Sequence, residues 1–261
     1  MKIASYNVNS LRARQARVLA WLTKESPDVL CLQKLKLEEE KFPHLELAAL
    51  GYKAAVYGQK TYNGVAILSK HELTGVERGF GDGADDAQAR FITAMTGGVR
   101  VMCAYMPNGE SLSSDKYAYK LAWFDRLTRW LARRLGQGEG REGRALLLGD
   151  YNVAPTDLDV HDPAAWAGST LCSAPERAAF QALLDLGLVD SFRALHPDEK
   201  AFSWWDYRML GFPKDRGLRI DHVLVTPDLV PRLTAAWIDR AERKGKQPSD
   251  HAPVLVELAD A

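Results

Sequence analysis

The chain has 261 residues, of which 46% are hydrophobic and 26% are charged. Lysine and arginine together number 34, as do aspartate and glutamate, so the net charge neither suggests nor excludes a nucleic-acid partner. The composition is that of an ordinary globular protein. No apolar run approaches the length of a membrane span, and the N-terminus becomes polar too early for a signal peptide.

Short apolar runs alternate with longer amphipathic segments along the chain. Seven runs predict strands, most of them buried, at residues 2–6, 29–32, 65–68, 99–104, 145–148, 220–225 and 254–258. Helical periodicity predicts helices at residues 12–24, 117–135 and 175–186. This mixture predicts an α/β fold in which helices cover sheets.

The chain shows no sign of division into several domains. No linker rich in proline, glycine or serine interrupts it, so we predict a single domain over residues 1–261. The glycine-rich segment 136–143 is expected to be a loop between a helix and a strand. The tripeptide Tyr-Asn-Val at 6–8 recurs at 151–153, each time after an apolar strand, which suggests two similar halves, although chance is a fair competitor.

The three cysteines indicate a cellular compartment rather than a metal site. Cys31, Cys103 and Cys172 contain no closely spaced pair of the kind that zinc requires. Cys31 and Cys103 lie inside apolar runs, which predicts buried free thiols. We therefore expect a cytoplasmic protein.

Polar residues follow or interrupt the ends of most predicted strands. Because such ends in an α/β sheet converge on one rim, where ligands bind, we expect these side chains to meet. Any one of them is as readily explained as a turn or cap residue, so the argument depends on the repetition over six strands. They are Asn7, Gln33, Lys34, Tyr105, Asp150, Asn152, Asp221, His222, Asp250 and His251.

The residue types suit metal-assisted hydrolysis of a phosphodiester. Aspartate carboxylates and asparagine amide oxygens are the hard ligands that Mg²⁺ prefers. Asp221 can orient the ring of His251 by accepting an imidazole N–H. Tyr105 and Asn152 can donate hydrogen bonds to a phosphate oxygen. The set therefore supplies a metal site, a group that activates water and donors for the developing charge.

Seven segments together resemble the bacterial exonuclease III family of the endonuclease/exonuclease/phosphatase superfamily, and they cover essentially the whole chain. The resemblance implies a four-layered α/β sandwich, two mixed sheets flanked by helices, and repair activity on double-stranded DNA. The segments are residues 5–12 (SYNVNSLR), 62–69 (YNGVAILS), 105–110 (YMPNGE), 149–155 (GDYNVAP), 204–208 (WWDYR), 217–222 (GLRIDH) and 249–253 (SDHAP).

The resemblance also implies roles for particular residues, with Mg²⁺ or Mn²⁺ as the cofactor. The catalytic residues would be Tyr105, Asp150, Asn152, Asp221 and His251. The metal site would comprise Asn7, position 34, Asp150, Asn152 and Asp250. The DNA contacts would be Asn108, Trp204, Trp205, Arg208 and Arg216, with Lys214 and Arg219 as further cations. Aromatic residues can stack at an opened base step, and cations follow phosphates. The alternative is that both tryptophans belong to the core and that the cations form an ordinary surface.

The expected substrate is duplex DNA with an abasic site or a 3′ end, bound by a monomer. Abasic-site endonuclease, 3′–5′ exonuclease and 3′-phosphatase activities remain open, and residues 162–176 are a candidate loop that selects among them. A phosphatase of the same fold, acting on a lipid headgroup or soluble phosphoester, is a less favoured alternative. The segments at 204–208 and 107–110 favour the DNA-processing branch.

One position departs from the family pattern. The second strand of the family normally ends in Gln-Glu, where the glutamate is the principal metal ligand, but this chain has Gln33 and Lys34. We therefore expect impaired metal binding and activity, with an inactive DNA-binding protein as the alternative. A further alternative is that Lys34 points to solvent and another carboxylate completes the site. Residues 38–40 are predicted to begin a helix beyond the rim and to be poor substitutes.

Overall fold

The computed structural model describes residues 1–135 and 143–259. Its strands are β1 Lys2–Asn7, β2 Val29–Gln33, β3 Lys53–Tyr57, β4 Val65–Ser69, β5 Thr74–Arg78, β6 Phe91–Thr96, β7 Val99–Tyr105, β8 Ala145–Asp150, β9 Val189–Asp190, β10 Trp204–Trp205, β11 Gly217–Leu218, β12 Asp221–Val225, β13 Leu233–Ile238 and β14 Val254–Leu258. Its α-helices are α1 Leu11–Glu25, α2 His44–Ala49, α3 Asp115–Leu135, α4 Pro163–Trp166, α5 Ala174–Asp185 and α6 Ser191–Leu195. Short 3-10 turns occupy Glu39–Lys41, Asp157–Asp159, Arg208–Leu210, Pro227–Arg232 and Arg240–Arg243.

Two six-stranded mixed sheets repeat one arrangement. The first has the order β13-β14-β1-β2-β4-β3, and the second has the order β9-β12-β8-β7-β6-β5. In each sheet only the two central strands are parallel, β1 with β2 and β8 with β7. Asn7 and Asp150 therefore occupy corresponding strand ends. The two sheets are alike in layout, but the Tyr-Asn-Val tripeptides lie out of register with this correspondence.

The sheets are covered by helices and pack against each other. Apolar side chains such as Ile67, Val101 and Leu148 fill the space between them. Helix α1 begins at the Ser10 cap and buries Trp21 against the outer face of the first sheet. Helices α3 and α5 cover the outer face of the second sheet. These are four layers, so the predicted sandwich is confirmed.

The predicted elements are present, and the missed ones lie mainly toward the sheet edges. Strand β5 is largely exposed and lacks an apolar run, β3 has only the short run at residues 54–57, and β6 is joined to β7 by the Gly97-Gly98 turn. Residues 38–40 do not begin an α-helix, because only a 3-10 turn over Glu39–Lys41 forms. The predicted loop 136–143 falls almost entirely outside the described residues. Among the helices of the described ranges, none is long and apolar enough to cross a membrane.

Candidate active site

The second sheet places three of the predicted residues side by side. Asp150 at the end of β8 pairs with Tyr105 of β7 on one side and with Asp221 of β12 on the other. Gly149 makes this pairing possible, because a Cβ there would lie 1.7 Å from the carbonyl oxygen of Ala104. The register of three neighbouring strands therefore determines where the two carboxylates and the phenol lie.

His251, just before β14, lies between those two carboxylates. Its Nδ1 lies 2.8 Å from Asp221 Oδ2, and its Nε2 lies 3.7 Å from Asp150 Oδ2. Ser203 donates a hydrogen bond of 2.6 Å to Asp221 Oδ2 and so fixes that carboxylate. All four side chains are buried. The contact between Asp221 and the imidazole is the one that the sequence predicted.

The environment raises the pKa values of Asp150 and His251. Burial raises the pKa of Asp150 to about 6, although the neighbouring His251 opposes the shift. Burial by itself would lower the pKa of His251, but the charges of Asp221 and Asp150 outweigh it and raise that pKa to about 9. At neutral pH the imidazole is therefore protonated, while Asp150 can exchange its proton.

A cluster of possible ligand atoms coincides with this group. One atom each from Asp150, Asp221 and His251 lies within 4.8 Å of the others. A protonated imidazole has no lone pair for a metal ion, and its Nδ1 already contacts Asp221. This cluster is therefore better suited to proton transfer than to holding a metal.

Amide groups surround Asp150 and hold it in place. Asn7 Nδ2 donates to Asp150 Oδ2 at 2.8 Å, and the backbone N–H of Asn152 donates to Oδ1 at 2.9 Å. The side-chain oxygen of Asn152 accepts a bond from Asn108 Nδ2, and Asn152 Nδ2 donates to the Met106 carbonyl, both at 3.0 Å. Both polar atoms of the Asn152 side chain are therefore hydrogen-bonded, and a role for Asn152 as a metal ligand stays a prediction.

Tyr105 is a neutral donor at this rim. Burial raises the pKa of its hydroxyl above the ordinary range, and Asp150 adds to the shift. The Arg90 guanidinium lies 4.9 Å from the centre of the phenol ring and donates to the Tyr105 carbonyl. The hydroxyl therefore keeps its proton at neutral pH and can donate it in a hydrogen bond.

Asp250 forms the other side of the rim, next to the first sheet. Its carboxylate accepts bonds from Asn9 Nδ2 at 3.0 Å and from Trp204 Nε1 at 3.1 Å. The Asn9 backbone N–H also binds Asn7 Oδ1 at 3.0 Å. Burial tends to raise the pKa of Asp250, but His251 and Lys34 together hold it below its usual range. Asn9 was not singled out from the sequence, although it lies in the segment 5–12 that carries the resemblance.

Lys34 lies at this same rim. It follows β2, whose last residue pairs with Asn7, and its carbonyl accepts a bond of 2.8 Å from the backbone N–H of Ser10. Lys34 is half-buried, its backbone is left-handed with φ +59°, and its charge acts on Asp250. The structure therefore places Lys34 at the end of β2, where its charge acts on Asp250, and its effect on a metal stays a prediction.

The acidic residues after Lys34 do not take its place. Glu38 pairs with Lys41 at 2.5 Å, and Glu39 pairs with Arg78 at 3.2 Å, both at the surface. The oxygens of Asn7, Asp150 and Asp250 are the donors available for a divalent ion, and as hard oxygen ligands they fit one chemically. Lys34 cannot coordinate metal while it is protonated, so it adds charge without adding a ligand.

The predicted DNA contacts divide into exposed and buried residues. Arg216 is exposed, Trp204 is half-buried beside Asp250, and Arg208 is exposed in an ion pair with Asp206. Trp205 is only 1% exposed, because it packs against Phe202 and Phe212, so the prediction that it contacts DNA is wrong for this conformation. Asn108 reaches Asn152 and is exposed at the rim.

Arg219 also belongs to the interior. Its guanidinium forms ion pairs with Asp159 at 2.6 Å and with Asp190 at 2.8 Å, and its side chain is 2% exposed. It is therefore not a phosphate-tracking cation. The loop around Arg208 instead exposes three large side chains that the sequence did not single out, Tyr207, Met209 and Leu210. In the sequence, the one feature that marks these three residues is that they are large apolar side chains in a loop rich in cations.

Comparison with known proteins agrees with this geometry. The model of the endonuclease/exonuclease/phosphatase family matches residues 4–251. Exodeoxyribonuclease III of Haemophilus influenzae is 39% identical, and the match covers 99% of this chain and 100% of the relative. The chain belongs to the endonuclease/exonuclease/phosphatase family.

Its full-length relatives are nucleases of the exonuclease III type, which confirms the resemblance found in the sequence. Among solved structures, a 3′ phosphatase from Neisseria, NExo, bound to a product DNA hairpin is 44% identical with a TM-score of 0.96 over 100% of both chains. NExo from Neisseria meningitidis, described as a 3′-5′ exonuclease, is 45% identical with a TM-score of 0.96 over 100% of both chains. An AP endonuclease from Archaeoglobus fulgidus is 37% identical with a TM-score of 0.93 over 99% of each chain.

Proposed function

We propose that this chain hydrolyses phosphoester bonds at 3′ ends of duplex DNA, and that Lys34 impairs this activity. The observation that carries the proposal is His251, held 2.8 Å from Asp221 and 3.7 Å from Asp150 inside a rim of amide donors. Relatives described as exodeoxyribonuclease, AP endonuclease and 3′ phosphatase support DNA as the substrate.

The residues divide the chemistry among themselves. Asp150, with its pKa raised to about 6, can accept a proton from the attacking water or return one to the leaving oxygen. His251 can donate from Nε2 to a phosphate oxygen, while Asp221 fixes the ring. Tyr105 and Asn152 add neutral donors for the developing charge. A divalent ion, Mg²⁺ or Mn²⁺, bound by oxygens of Asn7, Asp150 and Asp250, would neutralise phosphate charge when present.

The surroundings of Asp250 favour a DNA terminus as the substrate. Trp204 and Trp166 of α4 form an edge-to-face pair, with ring centres 6.4 Å apart, and both are half-buried. This pair can pack against a terminal sugar or base, because aromatic faces stack on nucleotides. Trp166 lies in the segment 162–176 that the sequence indicated as a selecting loop. Abasic-site cleavage is the competing specificity.

A second candidate function is DNA binding without turnover, and Lys34 is the observation that favours it. An ammonium beside Asp250 can hold a phosphate oxygen without activating water. The two functions predict the same affinity for DNA and differ only in the rate of hydrolysis.

The experiment compares the chain with its Lys34→Glu variant on three duplexes in Mg²⁺. The duplexes carry a recessed 3′-hydroxyl, a 3′-phosphate or an internal abasic site, and an inositol phosphate serves as the non-DNA control. We expect Lys34→Glu to process the 3′ ends fastest and the parent to be at least about a hundredfold slower. Fastest cleavage at the abasic site would refute the 3′-end specificity, and preference for the inositol phosphate would refute the DNA assignment.

We further propose that the protein acts as a monomer in the cytoplasm and that one domain spans the chain. Three reduced cysteines, all buried, support a reducing compartment. Sedimentation with and without a duplex tests the monomer, and limited proteolysis that yields a stable half would contradict the single domain.

A further inference from the structure

A buried ion pair joins the two helices on the outer face of the second sheet. Lys120 lies on α3 and Glu176 lies in the first turn of α5, and both side chains are 0% exposed. Lys120 Nζ contacts Glu176 Oε1 in a short hydrogen bond. An ion pair so deeply buried stabilises a fold poorly, because removing both charges from water costs about what their attraction returns.

The other bonds of Lys120 lead to the active site. Nζ donates to the carbonyl of Asn152 at 2.7 Å and to the carbonyl of Asn108 at 3.1 Å. With Glu176, these contacts use all three protons of the ammonium. The two asparagines also bond to each other through their side chains, and Asn152 donates its backbone N–H to Asp150. The Lys120 ammonium therefore fixes the backbones of both Asn108 and Asn152.

The backbone conformation of Asn152 is one that the hydrogen bond from Lys120 helps to hold. Its φ is +51°, in the left-handed region, which asparagine adopts more readily than most residues but at a greater cost than glycine. Such a conformation costs free energy and persists only where the surroundings hold it. The hydrogen bond from Lys120 to its carbonyl is one of the contacts that hold it.

Glu176 extends the connection to the loop that precedes α5. Its carboxylate accepts the backbone N–H of Leu171 at 3.0 Å and that of Ser173 at 3.1 Å. Leu171 packs in the same apolar cluster as Trp166 and Trp204, the aromatic pair beside Asp250. The ion pair therefore contacts the asparagine turn on one side and the loop that carries the aromatic pair on the other.

We propose that Lys120 and Glu176 are positioning residues for hydrolysis, a role that rests on the proposed function. Lys120 holds the carbonyls of Asn108 and Asn152, so that Asn152 presents its amide to the phosphate and its backbone N–H to Asp150. Glu176 fixes the ammonium and ties the loop containing Leu171 to the same point. Neither residue touches the substrate. An apolar pair could fill the same volume, but it could not donate to the two carbonyls.

The test replaces the pair while avoiding an unpaired buried charge. Lys120→Met combined with Glu176→Gln is made in the Lys34→Glu background. Arg126→Met in the same background is the control, because Arg126 lies on the same helix and pairs with Asp82 at 2.7 Å and Asp86 at 2.6 Å. For each variant we would measure kcat and KM on a 3′-phosphate duplex, the thermal midpoint, and the amide resonances of ¹⁵N-asparagine protein. The chain has five asparagines, Asn7, Asn9, Asn63, Asn108 and Asn152.

We expect the double variant to lose at least about tenfold in kcat with KM within threefold, while Arg126→Met keeps the parent kcat. The signals of Asn108 and Asn152 should move in the double variant, and that of Asn63, which bonds to Gln59 and Gln88 instead, should not. A kcat within threefold of the parent with unmoved Asn152 signals would overturn the proposal. If the double variant does not fold, Lys120→Gln combined with Glu176→Gln, which keeps a neutral donor and leaves no unpaired buried charge, is judged by the same two readouts. If the parent itself does not hydrolyse DNA, the proposed function fails, and the asparagine signals still decide the positioning role.

Discussion

The two sides of the rim differ in how complete they are. On the side of the second sheet, Asp150, Asp221 and His251 are buried, Asp221 contacts the His251 ring, and the pKa values of Asp150 and His251 are raised. On the side of the first sheet, Asp250 has its amide partner Asn9, but Lys34 follows β2 where the resemblance predicts a glutamate. Lys34 places a positive charge there, and that charge acts on Asp250. The comparison distinguishes a proton-transfer side whose groups contact one another from a side whose carboxylate faces a cation.

The largest effect is expected from removing the proton-transfer carboxylate. Asp150→Asn, in the Lys34→Glu background, should lower kcat by at least about a thousandfold, because an amide cannot exchange a proton with water. The thermal midpoint should not fall, since burial already raises the pKa of this carboxylate. Single-turnover cleavage of a 3′-phosphate duplex measures the effect. Turnover within about tenfold of the parent would show that Asp150 is not the group that transfers the proton.

The next effect concerns the other side of the rim. Lys34→Glu should raise Mg²⁺-dependent cleavage by at least about a hundredfold, or roughly 2.7 kcal/mol of barrier. Lys34→Gln is the matched control, since it removes the cation without adding a carboxylate, and it should recover only part of the rate. Equal rates and equal Mg²⁺ dependence for all three proteins would mean that this position does not act on the metal.

The pH dependence of kcat/KM distinguishes the proton-transfer side of the rim from the side that carries Lys34. In the Lys34→Glu background, kcat/KM should rise with pH through about 6, as Asp150 ionises, and fall through about 9, as His251 loses its proton. Asp221→Asn removes the nearest anion from the imidazole, so the alkaline limb should move down by at least about one pH unit. Ser203→Ala keeps the anion and should move it less. If Asp221→Asn leaves the alkaline limb unchanged, His251 is not the group whose titration produces that limb.

The same shift predicts a stability effect with a definite sign. The pKa of His251 is raised from 6.5 to about 9 in the folded protein, so its ion pair contributes stability that is fully present below pH 6.5. That contribution is lost as the pH rises through about 9. The difference in unfolding free energy between the parent and Asp221→Asn should therefore shrink from pH 6 to pH 10. A difference that stays constant over this range would contradict the assigned protonation state.

The smallest effect is expected at the surface. DNA affinity should fall steeply with salt, because phosphate contacts release counterions. Arg216→Ala should weaken binding and reduce the slope of log affinity against log salt by about one unit. Arg129→Ala is the control, because Arg129 is an exposed arginine paired with Asp125 on the outer helix α3. Affinity that is flat in salt for the parent would contradict the DNA interface.

The residues of the rim could be picked out from the sequence because a polar residue at the end of an apolar run is easy to recognise. Asp150 and Asp221 stand at the ends of two paired strands, β8 and β12, that are formed by apolar runs, so both carboxylates were expected at one edge of the sheet. The edge strand β5 was missed because its sequence carries no apolar run and none of its residues is fully buried, while β3 has only the short run at residues 54–57. The layout of both sheets depends on pairings between distant segments, and no local pattern encodes those.

The errors concern side chains whose environment is set by tertiary contacts. Trp205 faces the interior although its neighbour Trp204 is half-buried, since a one-residue step along a strand reverses the face. Arg219 is buried because it forms ion pairs with Asp159 and Asp190. Lys120 and Glu176 left no signal either, because a lysine and a glutamate on amphipathic helices normally lie at the surface. Their burial depends on two helices and two loops meeting at one point.

The central claim is that Lys34 disables the metal side while leaving the rest of the site intact. An ammonium about 4 Å from Mg²⁺ would be repelled by roughly 8 kcal/mol at an effective dielectric of 20, before any relaxation. Titration calorimetry of Mg²⁺ into the parent, Lys34→Gln and Lys34→Glu, without DNA, measures this directly. We predict binding to Lys34→Glu at least about a hundredfold tighter than to the parent, with Lys34→Gln between them. Equal Mg²⁺ affinity in all three proteins would contradict the claim.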